Sequence, residues 1–421
     1  MKLLFVVQRY GDGVVGGSEA ACRSLATHLA ASGHEVEIMT TCAVGHLPWT
    51  NVFAPGRNHV DGLVVHRLPV DRPRDLERFV RLNTALLGDA DTTPALEREW
   101  LAAQGPSVPG MPGWLRHHAP AFDVVVFFTY LYETTTAGIA EAAARTATVL
   151  HPTAHDERYL RLREVSHVFR HADGLAYFTP EEKDLVEKYH APSGVGRVIG
   201  LGFDAVAAGE GDRFRRRHGL GTEPYLLYTG RIEEGKSVDE LIRSARAHHR
   251  HRVDAPRLVL IGQLGMPMPE EPWLSVVGLT DPADRVDALG GCLALVQPSR
   301  LESFSLSLIE AWQQKRPGLV QRRSAALLGQ ARRSGGAIVY SSPSEFAASV
   351  DLLIDEPNLA ETLGASGARY VAAHYRWEVV IEMYEALLRE AIARRGHRTR
   401  RLAANAIKRW PADIGSRGGA E

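Results

Sequence analysis

Two runs of residues have the types and spacing to grip one ligand that carries both phosphates and hydroxyls. The first is Thr229-Gly230-Arg231-Ile232-Glu233-Glu234-Gly235-Lys236, which follows Tyr225-Leu226-Leu227-Tyr228 and leads into Ser237-Val238-Asp239-Glu240-Leu241. The apolar stretch reads as a buried strand and the last segment as a helix start, with Ser237 and Glu240 at capping-box spacing. An arginine on the strand exit and a lysine before the helix would aim two cations and the helix dipole at one point, which suits a diphosphate. The chain has 43 Arg but only 6 Lys, so a lysine at that place carries weight.

The second run is Gln297-Pro298-Ser299-Arg300-Leu301-Glu302-Ser303-Phe304-Ser305-Leu306-Ser307-Leu308-Ile309-Glu310-Ala311, after the apolar Leu293 to Val296. On a continuous helix Glu302 and Glu310 would stand roughly 80° apart, so the spacing predicts a loop presenting Glu302 and a helix carrying Glu310. The carboxylates could then take different hydroxyls of one ligand while N–H groups of residues 304 to 306 meet its phosphates. Taken alone, the same residues also read as a solvated loop acid and a helix acid capping with Ser307.

These runs need rigid elements behind them. Lys2 to Val7 reads as a buried strand that enters a loop with Gly11, Gly13, Gly16 and Gly17. Ser18 is expected to cap the next helix, which presents Ala21, Leu25, Ala26 and Leu29. Strands follow at residues 36–39, 63–68, 123–128, 146–150, 175–177 and 197–199, with a helix near 136–144 and another from Pro180. Residues 71–118 read as a polar, Arg-rich surface insert with helical pieces near 75–87 and 95–103 and a Pro/Gly segment from Gly105 to Gly113. After the Gly- and charge-rich residues 200–222 the alternation restarts, with strands at 225–228, 257–261, 274–277, 292–297, 318–321 and 337–340. The pattern predicts an α/β protein of two doubly wound, Rossmann-like domains. The expected boundaries are 1–200 for the first, completed by the C-terminal helix about 376–393, then 201–375, and a basic, frayed tail at 394–421.

Gly16-Gly17-Ser18-Glu19 after the first strand, Gly230-Arg231 to Lys236, and Glu302 with Glu310 resemble the retaining GT-B glycosyltransferases of the family 4 type, also called glycosyl transferase group 1. The resemblance covers residues 1 to about 390. It implies a nucleoside-diphosphate sugar, UDP- or GDP-linked, in the C-terminal domain, an acceptor mostly on the N-terminal domain, and reaction in the cleft between them. By that likeness Arg231 and Lys236 contact the donor diphosphate, Glu310 the ribose, and Glu302 the transferred sugar. Gly16 and Gly17 approach the phosphates or the reacting centre, and Phe304, Ser305 and Leu306 line the donor. The family often has a histidine after the strand that here ends at Leu150; Thr153-Ala154-His155 matches this better than His151, so His155 is assigned beside the transferring carbon. Ser305 departs from the family's glycine, and Arg-rich residues 321–336 depart from its usual sequence after Pro317.

The implied activity is transfer with retention to a hydroxyl of a small-molecule or lipid-linked acceptor, with no metal and no further cofactor. A nucleotide-sugar epimerase on the same fold, or a non-catalytic partner of that fold, are the alternatives. Asp89-Ala90-Asp91 has a metal-transferase spacing but sits in the insert, and His117-His118 and His248-His249-His251 read as solvated surface. Gly11-Asp12-Gly13-Val14-Val15-Gly16 has G-x-G-x-x-G spacing after the first strand, but it runs on to Gly17 with no helix beginning at its second glycine, which weakens a dehydrogenase reading.

Composition fits an ordinary globular chain: 421 residues, 45% hydrophobic, 24% charged, net charge −1. A balanced charge predicts no general attraction to nucleic acid. No stretch approaches the roughly 18 apolar residues of a membrane span, and the apolar start is too short for a signal peptide. Three scattered cysteines, Cys22, Cys42 and Cys292, fit a reducing compartment. The expected location is the cytoplasm, with the basic tail available for contact with an anionic membrane face.

Overall fold

The computed structural model describes residues 1–88 and 92–408, with side chains described through residue 397. Asp89-Ala90-Asp91 therefore lies outside the described residues, as do residues 409–421 of the tail.

Two parallel sheets organise the chain. The first holds β1 (Lys2–Val6), β2 (Glu35–Thr41), β3 (Gly56–Val60), β4 (Leu63–Leu68), β5 (Val124–Phe128), β6 (Ala147–His151), β7 (Gly174–Tyr177) and β8 (Val195–Val198). Their order is β3-β4-β2-β1-β5-β6-β7-β8, and only the edge pair β3/β4 is antiparallel. The second sheet holds β9 (Tyr225–Thr229), β10 (Arg257–Ile261), β11 (Leu274–Gly278), β12 (Ala294–Gln297), β13 (Gly318–Gln321) and β14 (Ala337–Tyr340), in the order β11-β10-β9-β12-β13-β14. Strand order reverses between β1 and β5 in one sheet and between β9 and β12 in the other. Loops leaving the carboxyl ends of strands at such reversals are where open α/β sheets bind ligands. The Gly16 loop follows β1, the Arg231 loop follows β9 and the Glu302 loop follows β12.

The central strands are apolar throughout because both faces are covered: β5 and β9 are buried at every residue. The C-terminal helix Trp377–Lys408 returns to the first sheet and packs on β6, β7 and β8. Val380, Tyr384, Leu387, Leu388 and Ala391 form its buried stripe, at the three- and four-residue spacing of one helix face. Between the sheets, Phe304 packs on Phe178 with ring centroids 5.4 Å apart and edge-on to Tyr375 at 5.2 Å. Gly202 admits no side chain, since a Cβ there would lie 2.2 Å from the Trp377 ring.

Several local expectations are corrected. The first helix, Gly17–Ala31, begins at Gly16 without a side-chain cap; Ser18 Oγ instead donates to Glu19 at 2.8 Å. The Pro/Gly segment continues into a helix, Gly110–His118, whose Met111 and Leu115 are buried and override the weak propensity of glycine and proline. Strand β3 has no apolar alternation to betray it, being a polar edge. The helix near 136–144 is two short ones, Glu133–Thr136 and Ile139–Ala143. The tail read as frayed from residue 394 is helical through Lys408. His248 is buried and 2.7 Å from Asp351, and His249 stacks on Trp273, so these two are not solvated surface, whereas His251 is exposed as expected. Among the described residues no helix is long and apolar enough to cross a membrane.

Candidate active site

The β9 strand ends at Gly230, where the next loop passes so close that a Cβ on Gly262 would lie 1.7 Å from the Gly230 carbonyl oxygen. Both residues have left-handed φ, 149° and 148°, so glycine is required for the crossing. Arg231 follows, its backbone carbonyl accepting from the Tyr228 hydroxyl at 2.7 Å. Its guanidinium lies 3.0 Å from Glu233 and, across the cleft, 3.4 Å from Nε2 of His46 in the first domain. Lys236 closes a short 3-10 turn, Glu234–Lys236. The predicted capping box is not formed: Ser237 adopts φ 57° with no side-chain cap, and Glu240 pairs with Arg300. The helix Val238–His251 still presents its N-terminus beside Lys236.

Glu302 lies in the loop and Glu310 on the helix Leu306–Gln313. The loop brings Glu302 to Lys236, with Nζ 2.7 Å from Oε1, while Glu310 faces Arg285 at 2.9 Å. Burial pushes the Glu310 carboxyl up and the Arg285 charge opposes it. The two glutamates thus occupy separate places in the site, each with its own cation. Ser305 takes the left-handed φ of 73° and turns its hydroxyl inward, where Gln297 Nε2 donates to it at 3.0 Å. Phe304 is buried in the seam between domains, and its carbonyl accepts from Gln330 Nε2. Leu306 opens the helix.

On the first domain, Gly16 lies against a buried ion pair of Arg9 and Glu19; a Cβ on Gly16 would meet Glu19 Oε2 at 2.2 Å, whereas Gly17 has open space. His155 is 28% exposed and its Nδ1 lies 3.4 Å from Glu157. Glu157 also accepts from the Tyr130 hydroxyl at 2.9 Å; burial pushes its carboxyl up, with His155, Tyr130 and Lys236 pulling it down. His151, by contrast, is core: its ring stacks on Phe128 and its Nε2 lies 3.0 Å from the Tyr384 hydroxyl, and burial pushes its pKa down to about 3.

Sequence reasoning missed His46 and Arg74 on the first domain. His46 is pushed down to about 4 by burial, then by the charges of Arg231, Arg9 and Arg74. Arg74 is itself pushed down to about 10 by burial; it bonds Gln104 Oε1 at 3.1 Å and lies over the Trp49 and Phe79 rings. Among the described residues it has no carboxylate within ion-pair distance. Arg74 sits in the insert, where one arginine among several carries no sequence signal.

The fold and these switch-point loops define the class, a two-domain GT-B protein with its site between the domains. The structure of sucrose-phosphate synthase from Thermosynechococcus elongatus superposes with a TM-score of 0.69 at 17% identity, covering 93% of this chain and 99% of that one. Anabaena Alr3699/HepE in complex with UDP-glucose gives 0.65 at 13% identity, over 92% and 100%. Residues 223–356 match the family model described as Glycosyl transferases group 1. A D-inositol 3-phosphate glycosyltransferase of Thermobispora bispora is 27% identical over 94% of both chains, and one of Streptomyces scabiei is 28% identical over 90% and 88%. Residues 223–356 thus carry a glycosyl transferases group 1 domain, and the chain over most of its length is similar to glycosyltransferases of the family 4 type.

Proposed function

We propose that this chain transfers a sugar, with retention of configuration, from a nucleoside-diphosphate donor to a hydroxyl of a small acceptor that carries a phosphate. The carrying observation is that Arg231, Lys236 and Glu302 stand on the two switch-point loops of one sheet and Glu310 on the helix after the second, with Lys236 near enough to Glu157, the partner of His155 on the other domain, to act on its charge. The solved relative described with UDP-glucose supports a UDP-linked donor, and the relatives named for inositol 3-phosphate support an anionic acceptor. Arg74 gives the acceptor side its positive charge, beside a neutral His46.

In the proposed reaction the acceptor oxygen bonds the anomeric carbon on the face from which the diphosphate departs, and the leaving phosphate oxygen takes the acceptor proton. Negative charge growing on the diphosphate is met by Arg231, Lys236 and the N-terminus of Leu306–Gln313. Glu310 holds the ribose hydroxyls, Glu302 the sugar hydroxyls, and His155 with the Gly16-Gly17 backbone flanks the reacting carbon. No step calls on a metal, since the chain supplies its own two cations. Contact of the two domains around the sugar excludes water and limits hydrolysis.

The test is incubation with UDP-glucose and D-inositol 3-phosphate, followed by proton NMR. A new α-glucoside with release of UDP supports the reading. A β-glucoside would contradict retention, and an isomerised donor without transfer would point to an epimerase.

A further inference from the structure

Glu182 is a buried carboxylate that the proposed reaction leaves unused. It sits in the first turn of the helix Pro180–His190 and is 2% exposed, yet no cation pairs with it among the described residues. Its partners are backbone amides. Oε1 accepts from Ala154 at 2.7 Å and Oε2 from Phe178 at 2.7 Å, with the Thr153 and Thr179 amides directed at the same group. Thr153 and Ala154 immediately precede His155, and Thr153 takes the left-handed φ of 52°, a conformation that needs outside support.

The other two amides belong to a turn that touches the donor loop. The Thr179 hydroxyl donates to the carbonyl of Ser303 at 3.1 Å, one residue from Glu302, and also caps the Glu182 amide at 3.2 Å. The Phe178 ring packs on Phe304. Glu181 is held bidentately by Arg333 of the second domain. One helical turn thus grips the donor-side loop on its outer face and the His155 loop through Glu182 on its inner face.

We propose that Glu182 is a positioning residue that ties the His155 loop to the donor loop 302–306 across the domain seam. Each carboxyl oxygen accepts from one amide, Ala154 or Phe178, an arrangement a carboxamide cannot match, since glutamine keeps one acceptor oxygen and turns two N–H donors toward the other amide. Burial pushes this carboxyl up to about 8, and the amides oppose that shift. The inference goes beyond the proposed reaction and rests on it only for the identity of the donor loop.

The test is amide hydrogen exchange of the full chain, alone and with UDP, for wild type, Glu182→Gln, Thr179→Val and Thr179→Ser. For the protein alone, Glu182→Gln should speed exchange of residues 150–158 by about tenfold or more while β2 is unchanged. In wild type, UDP should protect 230–240 and 302–310 directly and 150–158 through the relay. Glu182→Gln and Thr179→Val should keep the direct protection and lose the relayed one, and Thr179→Ser, which retains the hydroxyl, should restore it. Undiminished protection of 150–158 in Glu182→Gln, or uniform loosening of the whole first domain, would overturn the proposal. If UDP protects neither 230–240 nor 302–310 in wild type, the donor reading fails, and the positioning role is then decided by exchange of 150–158 in the protein alone. Should Glu182→Gln not fold, the threonine pair decides the matter.

Discussion

Lys236 Nζ lies 2.7 Å from Glu302 Oε1, so the lysine assigned to the diphosphate is neutralised by the carboxylate assigned to the sugar. A diphosphate that takes the ammonium must draw it from Glu302, which frees that carboxylate for sugar hydroxyls at the moment the donor arrives. In the proposed reaction the pair couples occupation of the phosphate site to preparation of the sugar site.

Removing either partner should therefore have different effects. Lys236→Ala should lower kcat/KM by a factor equivalent to about 2–4 kcal/mol of transition-state stabilisation. Glu302→Gln should lower kcat while leaving UDP affinity unchanged or tighter, because Lys236 no longer has a competing anion. Titration calorimetry with UDP and steady-state kinetics read both; weaker UDP binding in Glu302→Gln would show that the carboxylate does not compete for Lys236.

Arg74→Gln should act on the acceptor alone. Its guanidinium is on the first domain, held by Gln104 and two aromatic rings. The acceptor KM should rise about tenfold or more, equivalent to about 1.4 kcal/mol, with hydrolysis of UDP-glucose unchanged. Equal loss in both assays would remove Arg74 from the acceptor site.

Ser305 replaces the family's glycine yet points away from the outer side of its loop. Ser305→Gly should relieve about 1 kcal/mol of left-handed strain and lose about as much in the Gln297 hydrogen bond, leaving the melting temperature nearly unchanged. UDP affinity should stay within about threefold, or about 0.7 kcal/mol. A larger loss would mean that the hydroxyl itself serves the donor.

Acid should destabilise the fold through its buried histidines. His151 is pushed by burial down to about 3 and His46 to about 4. Both are neutral when folded, whereas the unfolded chain takes up protons below about pH 6.5. Their contribution is fully present above about 6.5 and is lost as pH falls toward the folded values, by at most about 1.4 kcal/mol per pH unit for each. Urea midpoints between pH 7 and 4.5 should fall, and His151→Phe should remove one proton's worth of the slope. An unchanged slope would place His151 outside this linkage.

The sheets were legible because their central strands are uninterrupted apolar runs and their loops carry glycine where backbones cross, as at Gly230. The placing of Arg231, Lys236 and Glu302 in the loops after β9 and β12, and of Glu310 on the helix that follows, was legible because spacing has a meaning at strand exits and helix starts. Ser18, Ser237 and Glu240 were misread for a tertiary reason: Glu19 draws Ser18, and Arg300 draws Glu240, away from local capping. Arg9, His46 and Arg74 left no local signal, since Glu19, Arg231 and Gln104 stand 10, 185 and 30 residues away in sequence, and Glu157 and Glu182 add to near partners the distant Tyr130 and Ala154, 27 and 28 residues away. Only the folded chain brings His46 to Arg231.

The central claim is that the loops after β9 and β12 form a nucleotide-sugar donor site. It is tested most directly by melting wild type and Lys236→Ala with UDP, GDP, ADP and TDP. At a hundred times its dissociation constant a bound nucleotide stabilises by roughly 2.7 kcal/mol. The account predicts that one nucleotide, UDP first, raises the wild-type melting temperature and that Lys236→Ala loses the shift. An equal shift in the variant, or none with any nucleotide in wild type, would contradict it.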